Sequence, residues 1–469
     1  MTDVAVTMDL YPQPAPGQPK PWAFPAPDRG VLANGLTVLR CHRPRQQLVA
    51  VEIGLDVPLD AEPAGLDGVA AIMVNALSQG AGELSAEEFS AELERCGATL
   101  DARADYAGAR LSLEVPLSRL PRALGLLAEA LRVPTFAPSE VERLVRNRLD
   151  GIPIELADPG QRAARQLAQE LFPASARMSR PRRGTEDTVA RIDAAAVRAF
   201  YAAHVRPATA TAVVVGDLSG FDLDQMLAGT LGEWTSDRAE PLTMPPAPAN
   251  DTGRVVIVDR PGAVQTQVLI GRTGPDRHDP VWPALVLGTY CLGGTLTSRL
   301  DRVLREEKGY TYGIRAFQQV LRSPEPPAPE GVSGVAVLAI SGGVDTASTG
   351  PALDDLRTVL RTVAADGLTE AERDTAVQNL VGVAPLRYET AASVAGTLAN
   401  QVGEHLPDDY QAQLYVRLAE TSAAEATAAV VAAFPEDHLV TILVGDASQI
   451  QGPVQALGLG EVTVIPAES

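Results

Sequence analysis

The sequence predicts an α+β fold made of two homologous domains, each a mainly antiparallel sheet covered by helices. Two observations carry this. Short runs rich in Val, Ile and Leu alternate with longer stretches whose apolar residues recur at i, i+3 and i+4. The chain also states this pattern twice. TATAVVVGDLSG near the end of the first half returns as HLVTILVGDASQ near the end of the second, with Gly216 and Gly445 standing 229 positions apart. A repeat of that period means two copies of one domain rather than a solenoid of short units.

In chain order, residues 1–27 are rich in Pro and polar residues and read as an extended arm. Strands are expected at 35–41, 47–57, 109–116 and 211–217 of a first domain spanning 28–238. Helices are expected at 85–97 and 196–205. The Pro-rich stretch EPLTMPPAP (240–248) marks a linker over 239–252. In the second domain, 253–469, strands at 254–259, 266–271, 334–343 and 440–446 match the first set. Two helical pairs fall near the same offset: 118–136 with 351–368, and 136–151 with 368–382. Helices gathered between non-adjacent strands predict one covered face per sheet.

Composition narrows the function. With 39 Lys and Arg against 59 Asp and Glu, the formal net charge is −20. That balance argues against nucleic acid or an anionic membrane as partner, and is compatible with cationic peptides. The bland reading is a well-solvated acidic surface. Cys41, Cys96 and Cys291 are far apart and odd in number, so neither a disulfide framework nor a zinc ribbon is expected. The N-terminus lacks a basic and then apolar leader pattern, and no apolar run reaches the ~18 residues that cross a bilayer. The expected location is cytoplasmic.

Several segments together resemble the M16 (pitrilysin/insulinase-type) peptidase family. LANGLTVLRCHRP (32–44), EPAGLDGVA (62–70), GVAAIMVNALSQGAGELSAEEF (68–89), GAVQTQVLIG (262–271) and CLGGTLTSRLDRVLREEKGYTYGIR (291–315) are similar to successive landmarks of that family, over about residues 28–450. The resemblance implies two α+β halves forming half of a clamshell-like chamber around a peptide. It also implies where zinc chemistry would sit. Active members resemble an inverted zincin, with H-x-x-E-H on a helix and a distant Glu as a further ligand. Aligned on Gly68 and Gly80, this chain has Ala71 and Asn75 at the two His positions and Val74 at the base Glu. Gly151 stands at the distant Glu, or Asp150 with one position of slack. None of these carries a zinc site, so no cofactor is expected in this chain. The five histidines (His42, His204, His278, His405 and His438) stand in no H-x-x-E-H frame. Gln401 to His405 is the nearest decoy, with one His where two are needed.

A second signal points toward function. The segment from Leu304 to Gly313 is intact. The resemblance implies that Arg305 and Tyr312, seven apart, hold a substrate carbonyl and its developing oxyanion, with Tyr310 as the fallback. Read without the resemblance, Arg305 pairs with Glu306 or Glu307 on a helix surface and both tyrosines are strand aromatics. Gly293-Gly294-Thr295 reads as a tight turn, since it lacks the Gly-Lys-Ser/Thr ending of a phosphate loop. RPRRG (180–184) reads as a solvated loop or as a contact for an acidic partner. SPEPPAPEG (323–331) reads as a loop.

The resulting expectation is a non-catalytic, substrate-binding subunit of a heterodimeric zinc metallopeptidase. Zinc would lie in a homologous partner carrying H-x-x-E-H, and peptides would be the substrates. The alternative is a non-enzymatic scaffold or peptide-binding clamshell of the same fold.

Overall fold

The computed structural model describes residues 22–236, 249–250, 252–324 and 334–466. Most of the expected N-terminal arm and linker, and most of the SPEPPAPEG loop, lie outside the described residues.

The first sheet contains β1 (Asp28–Val31), β2 (Thr37–His42), β3 (Leu48–Leu55), β4 (Thr99–Ala104), β5 (Ala109–Pro116) and β6 (Ala210–Gly216). The second contains β7 (Arg254–Asp259), β8 (Gln265–Gly274), β9 (Thr311–Arg322), β10 (Val335–Asp345), β11 (Val440–Gly445) and β12 (Glu461–Ile465). Their orders are β1-β2-β6-β3-β5-β4 and β12-β7-β11-β8-β10-β9. Five strands correspond one to one, and in both sheets the VVGD-type strand pairs in parallel with an early strand of its half, β6 with β2 and β11 with β7. The three following pairings are antiparallel in each sheet. The expected strands are all present. The edge strands β1, β4, β9 and β12 are additional, because half-exposed strands carry a weaker apolar signal than central ones.

The helices of the first half include α1 (Val69–Ala76), α2 (Ala86–Arg95), α3 (Leu120–Arg132), α4 (Pro138–Ala157), α5 (Pro159–Leu171) and α6 (Ala194–His204). Those of the second include α7 (Trp282–Gly293), α8 (Thr349–Asp366), α9 (Glu370–Gly382), α10 (Ala391–Gly403), α11 (Tyr410–Glu420) and α12 (Ala423–Ala433). Local chemistry starts them. Ser85, Thr369 and Ser422 each form a capping box with a Glu three residues on. Asp158 caps α5 through Gln161 N, and Pro159 stands at its first turn.

Helices cover both faces of each sheet, not one as expected. One face of the first sheet (Val38, Val49, Val51, Leu111, Leu113 and Val214) packs on α1, α3 and α6 of its own half. The opposite face (Leu39, Cys41, Ala50, Val213 and Val215) joins the core that holds Val394 and Leu398 of α10. The second sheet does the reverse. Val255, Ile257, Val268 and Ile340 face its own helices, while Val256, Leu269, Ala339 and Ile442 pack against Ala163, Leu167 and Leu171 of α5. The halves therefore exchange helices at matching places in the repeat. Both faces of β6 and β11 are buried along their whole length, which is why they read as continuous apolar runs rather than alternating ones.

An aromatic cluster ties the chain start to the second half. Trp22 stacks on Tyr388 at 5.7 Å, Phe24 meets the same ring edge-on, and Tyr415 shares its hydroxyl hydrogen bond. The three cysteines are buried and unpaired. Among the described residues no helix is long and apolar enough to cross a membrane.

The exchange generates a test. Leu167 is buried on β8, so close to Gly271 that a Cβ there would stand 2.9 Å from its Cδ2. Leu167→Ala is expected to cost about 2–5 kcal/mol, read from urea unfolding. Circular dichroism and tryptophan fluorescence should shift together, because the residue belongs to one half and the core it fills to the other. A loss below about 1 kcal/mol would contradict the packing role.

Candidate functional site

The loop before α1 is held by a buried ion network. The Glu62 carboxylate accepts from the N–H groups of Gly68 and Ala70, capping α1 at its positive end. It also pairs with Arg177 at 2.7 Å. Asp67 pairs with Arg177 and with Arg180, the latter at 2.6 Å. Gly68 and Gly80 have φ of 102° and 103°, a region other residues avoid. A Cβ at Gly68 would also lie 2.8 Å from Arg183 O. The two glycines that anchor the alignment are thus required by backbone geometry.

On α1, Ala71 and Val74 are buried among Val69, Ile72 and Met73 as ordinary core. Asn75 is half-buried, and its side-chain N–H donates to Ala71 O at 2.7 Å, a local tie along the helix. Gly151 lies on α4, which packs against α1, and Asp150 beside it is exposed. Ala, Val and Gly offer no lone pair, and the Asn75 amide is turned to its own helix. These residues do not fit a zinc ion. In the decoy segment, Glu404 pairs with Arg277 at 3.2 Å and the His405 carbonyl faces His278 Nε2. These are structural roles at the end of α10.

Arg305 lies in a π-helical turn, Arg302–Glu307, that leads into β9. Such turns break the regular ladder and recur at functional sites, and this one has no signature in the sequence. Its register is held from three sides. Asp301 is fully buried, accepts from Ile314 N at 3.1 Å and pairs with Arg315. Gly309 (φ 67°) turns the chain and donates to Arg305 O. Arg299, just upstream, forks onto Glu372 of α9 at 2.6 and 2.8 Å and reaches Gly367 O. The Arg305 guanidinium is partly exposed and rests on Glu306 at 2.9 Å. Tyr312, on the edge strand β9, is 90% exposed with its hydroxyl in solvent. Tyr310 is half-buried against the core of the second half. Of the two tyrosines, only Tyr312 presents its ring outward. Among the described residues no hydrogen bond joins Arg305 to Tyr312.

Two cavities lie where the halves meet. The smaller, about 340 Å³, is bounded by α4, α5, the 178–184 loop and the face of β8, β9 and β10. The larger, about 690 Å³, is bounded by β3, β5, β6, β9 and the end of α10. Tyr106 and Arg182 line both. Burial raises the Tyr106 phenol above its ordinary value, and its hydroxyl donates to the carbonyls of Met178 or Arg180. The sequence reading singled out RPRRG but not its place on a cavity wall, since that wall is assembled from both halves.

Comparison with known proteins adds the following. Residues 37–158 match the family described as Insulinase (Peptidase family M16), and residues 191–380 match Peptidase M16 inactive domain, together more than half of the chain. An uncharacterized zinc protease of Streptomyces coelicolor is 26% identical, over 80% of this chain and 79% of its own. A non-peptidase homolog of Helicobacter pylori is 23% identical, over 76% of this chain and 80% of its own. In three dimensions, a peptidase M16 inactive domain from Pseudomonas fluorescens superposes with a TM-score of 0.79 at 22% identity, covering 94% of this chain and 100% of that one.

The Arg299–Glu372 pair seats the turn that bears Arg305, and it titrates. Burial acts to raise the Glu372 carboxyl, but hydrogen bonds from Arg299 and Thr369 hold it at about 2. A depressed carboxyl stabilises the fold above its ordinary value of 4.5 and stops doing so as pH falls toward 2. Glu372→Gln should therefore be less stable than wild type at pH 7, with the gap in urea midpoint narrowing below pH 4.5. A gap that stays constant from pH 7 to pH 3 would remove the charge from this role.

Proposed function

Since the chain belongs to the M16 peptidase family, we propose that it is the non-catalytic, substrate-binding subunit of a heterodimeric zinc metallopeptidase acting on peptides in the cytoplasm. One contrast carries the reading. The first half keeps its fold around α1 but has Ala71, Val74, Asn75 and Gly151 where ligands and base would stand. The second half keeps the Arg305 to Tyr312 segment, with an outward phenol. A chain relieved of metal binding but still bearing a carbonyl clamp suits an active site divided between two polypeptides.

In this arrangement a homologous subunit carrying H-x-x-E-H holds the zinc, which supplies Lewis-acid chemistry and a nucleophilic water. This chain forms one wall of the chamber. Arg305 contributes charge-assisted N–H donors and Tyr312 an O–H donor to the substrate's carbonyl oxygen. Both interactions strengthen as that oxygen becomes an oxyanion, which makes them catalytic rather than merely adhesive. Arg305 must leave Glu306 to do so, a modest cost for a solvent-exposed pair. The name of the Helicobacter relative, a non-peptidase homolog, supports the reading that this chain alone does not cleave. It equally suits the second reading, a peptide-binding clamshell without a catalytic partner, to which the cavities between the halves lend themselves.

The test uses a quenched fluorescent peptide pool with this chain alone, with an H-x-x-E-H homologue from the same source alone, and with the two mixed. Cleavage only in the mixture, abolished by a chelator, is expected. Silence in all three turns the conclusion to the clamshell. In an active mixture, Tyr312→Phe should lower kcat by about ten- to a thousandfold, the loss of one oxyanion donor. Unchanged kcat in a properly assembled complex would remove Tyr312 from the mechanism.

A further inference from the structure

We propose that the smaller cavity is a second ligand site, one that anchors the C-terminal carboxylate of a peptide whose last side chain is apolar. The class of ligand rests on the peptide-handling reading above; the site itself lies in this chain alone.

The floor and inner wall are apolar. Ile152 and Leu156 of α4, Leu167 and Phe172 at α5, and Phe317 and Val337 of the second sheet line it. At about 340 Å³ it falls near the lower end of the roughly 300–1,000 Å³ typical of ligand pockets. That suits a terminal residue or two rather than a long segment.

The rim is cationic in a protein of net charge −20. Arg148, Arg165, Arg180, Arg182 and Arg183 line the cavity, against Glu155 as the single lining carboxylate. Three of the five are occupied. Arg148 is buried and pairs with Glu155 while donating to the carbonyls of Arg183 and Gly184. Arg180 is committed to Asp67, and Arg183 shares Glu155 at 3.3 Å. Arg165, half-buried on α5, and Arg182, on the loop, have no carboxylate partner among the described residues. Like charges are crowded here: burial lowers the Arg183 guanidinium from its ordinary value, with Arg148 and Arg182 adding to the effect. An anion at the rim relieves that repulsion. A guanidinium pair presents the forked donors that a carboxylate accepts.

Apolar floor and cationic rim together select an amphiphilic anion, which excludes inorganic phosphate as the matched ligand. Arg182 and Tyr106 also border the larger cavity, where Arg29 and Arg110 stand beside Asp56, Asp105 and Glu404. A peptide with its carboxylate at Arg165 and Arg182 continues toward that cavity, whose mixed charge sets no preference for the residues upstream of the terminus.

The test is isothermal titration of this chain, without any partner, by an N-acetylated hexapeptide ending in free-carboxylate phenylalanine, and by the same peptide as its C-terminal amide. The acid is expected to bind at least about tenfold more tightly, as a charge-assisted pair implies. The double variant Arg165→Gln/Arg182→Gln should bring the acid down to the level of the amide with an unchanged melting temperature. Equal affinity of acid and amide for wild type overturns the proposal, and that comparison stands even if the variant fails to fold. So does a double variant that keeps the preference, or no binding of either peptide at millimolar concentration. Dodecanoate binding more tightly than the peptide acid makes this an acyl site and also overturns it. Because no partner is present, failure here leaves the divided active site untouched, and absence of cleavage in the mixture does not bear on the carboxylate preference.

Discussion

The structure depends on one constraint: each sheet has two apolar faces, and its own half supplies helices for only one. The other face must be covered from elsewhere. Helix α5, which follows α4 without a loop, leaves the first half and lies on β8 and β11. Helix α10 returns the favour on β3 and β6. Fully burying each Leu in such a contact is worth about 1.5–3 kcal/mol, and α5 alone brings Leu167 and Leu171. Neither sheet can shed its foreign helix without exposing an apolar face, so the two halves are held as partners within one chain.

The same exchange creates the space between them. A helix crossing from α4 to the second sheet brings the 178–184 loop along, because Arg177 and Arg180 are tied to Glu62 and Asp67 in front of α1. That network is buried, and a buried charge left without its partner is costly, so it fixes loop, helix start and cavity wall as one unit. The helix that resembles the metal-binding helix of active M16 members is packed into the core of the first half. Val74 is buried in the core at the position the resemblance gives to the base.

The division between halves recurs in the candidate site. Arg305 sits on a π-helical turn clamped by Asp301, Gly309 and Arg299, a lot of structure for a surface arginine resting on Glu306. Tyr312 is the second residue of the longest strand of the second sheet, at its edge, with its ring in solvent. Its neighbour Tyr310, equal to it on paper, is spent on the core. A strand points successive side chains to opposite sides, so residues two apart share a side in regular strand; the turn, not the strand, separates these two.

The sequence by itself determined the repeat, the central strands and which side chains stand at positions 71, 74, 75 and 151. Each of these is a local property: an apolar run, a period, or the chemistry of one side chain. The edge strands were faint because only half of such a strand is buried. Tertiary structure alone decided that helices cover both faces of each sheet, which of two tyrosines faces outward, and that arginines at 148, 165, 180, 182 and 183 share one cavity. The reason is that apolar periodicity reports that a face is buried and not by what. A helix donated by its own half and one donated by the other leave the same stripe in the sequence, and only the packing distinguishes them.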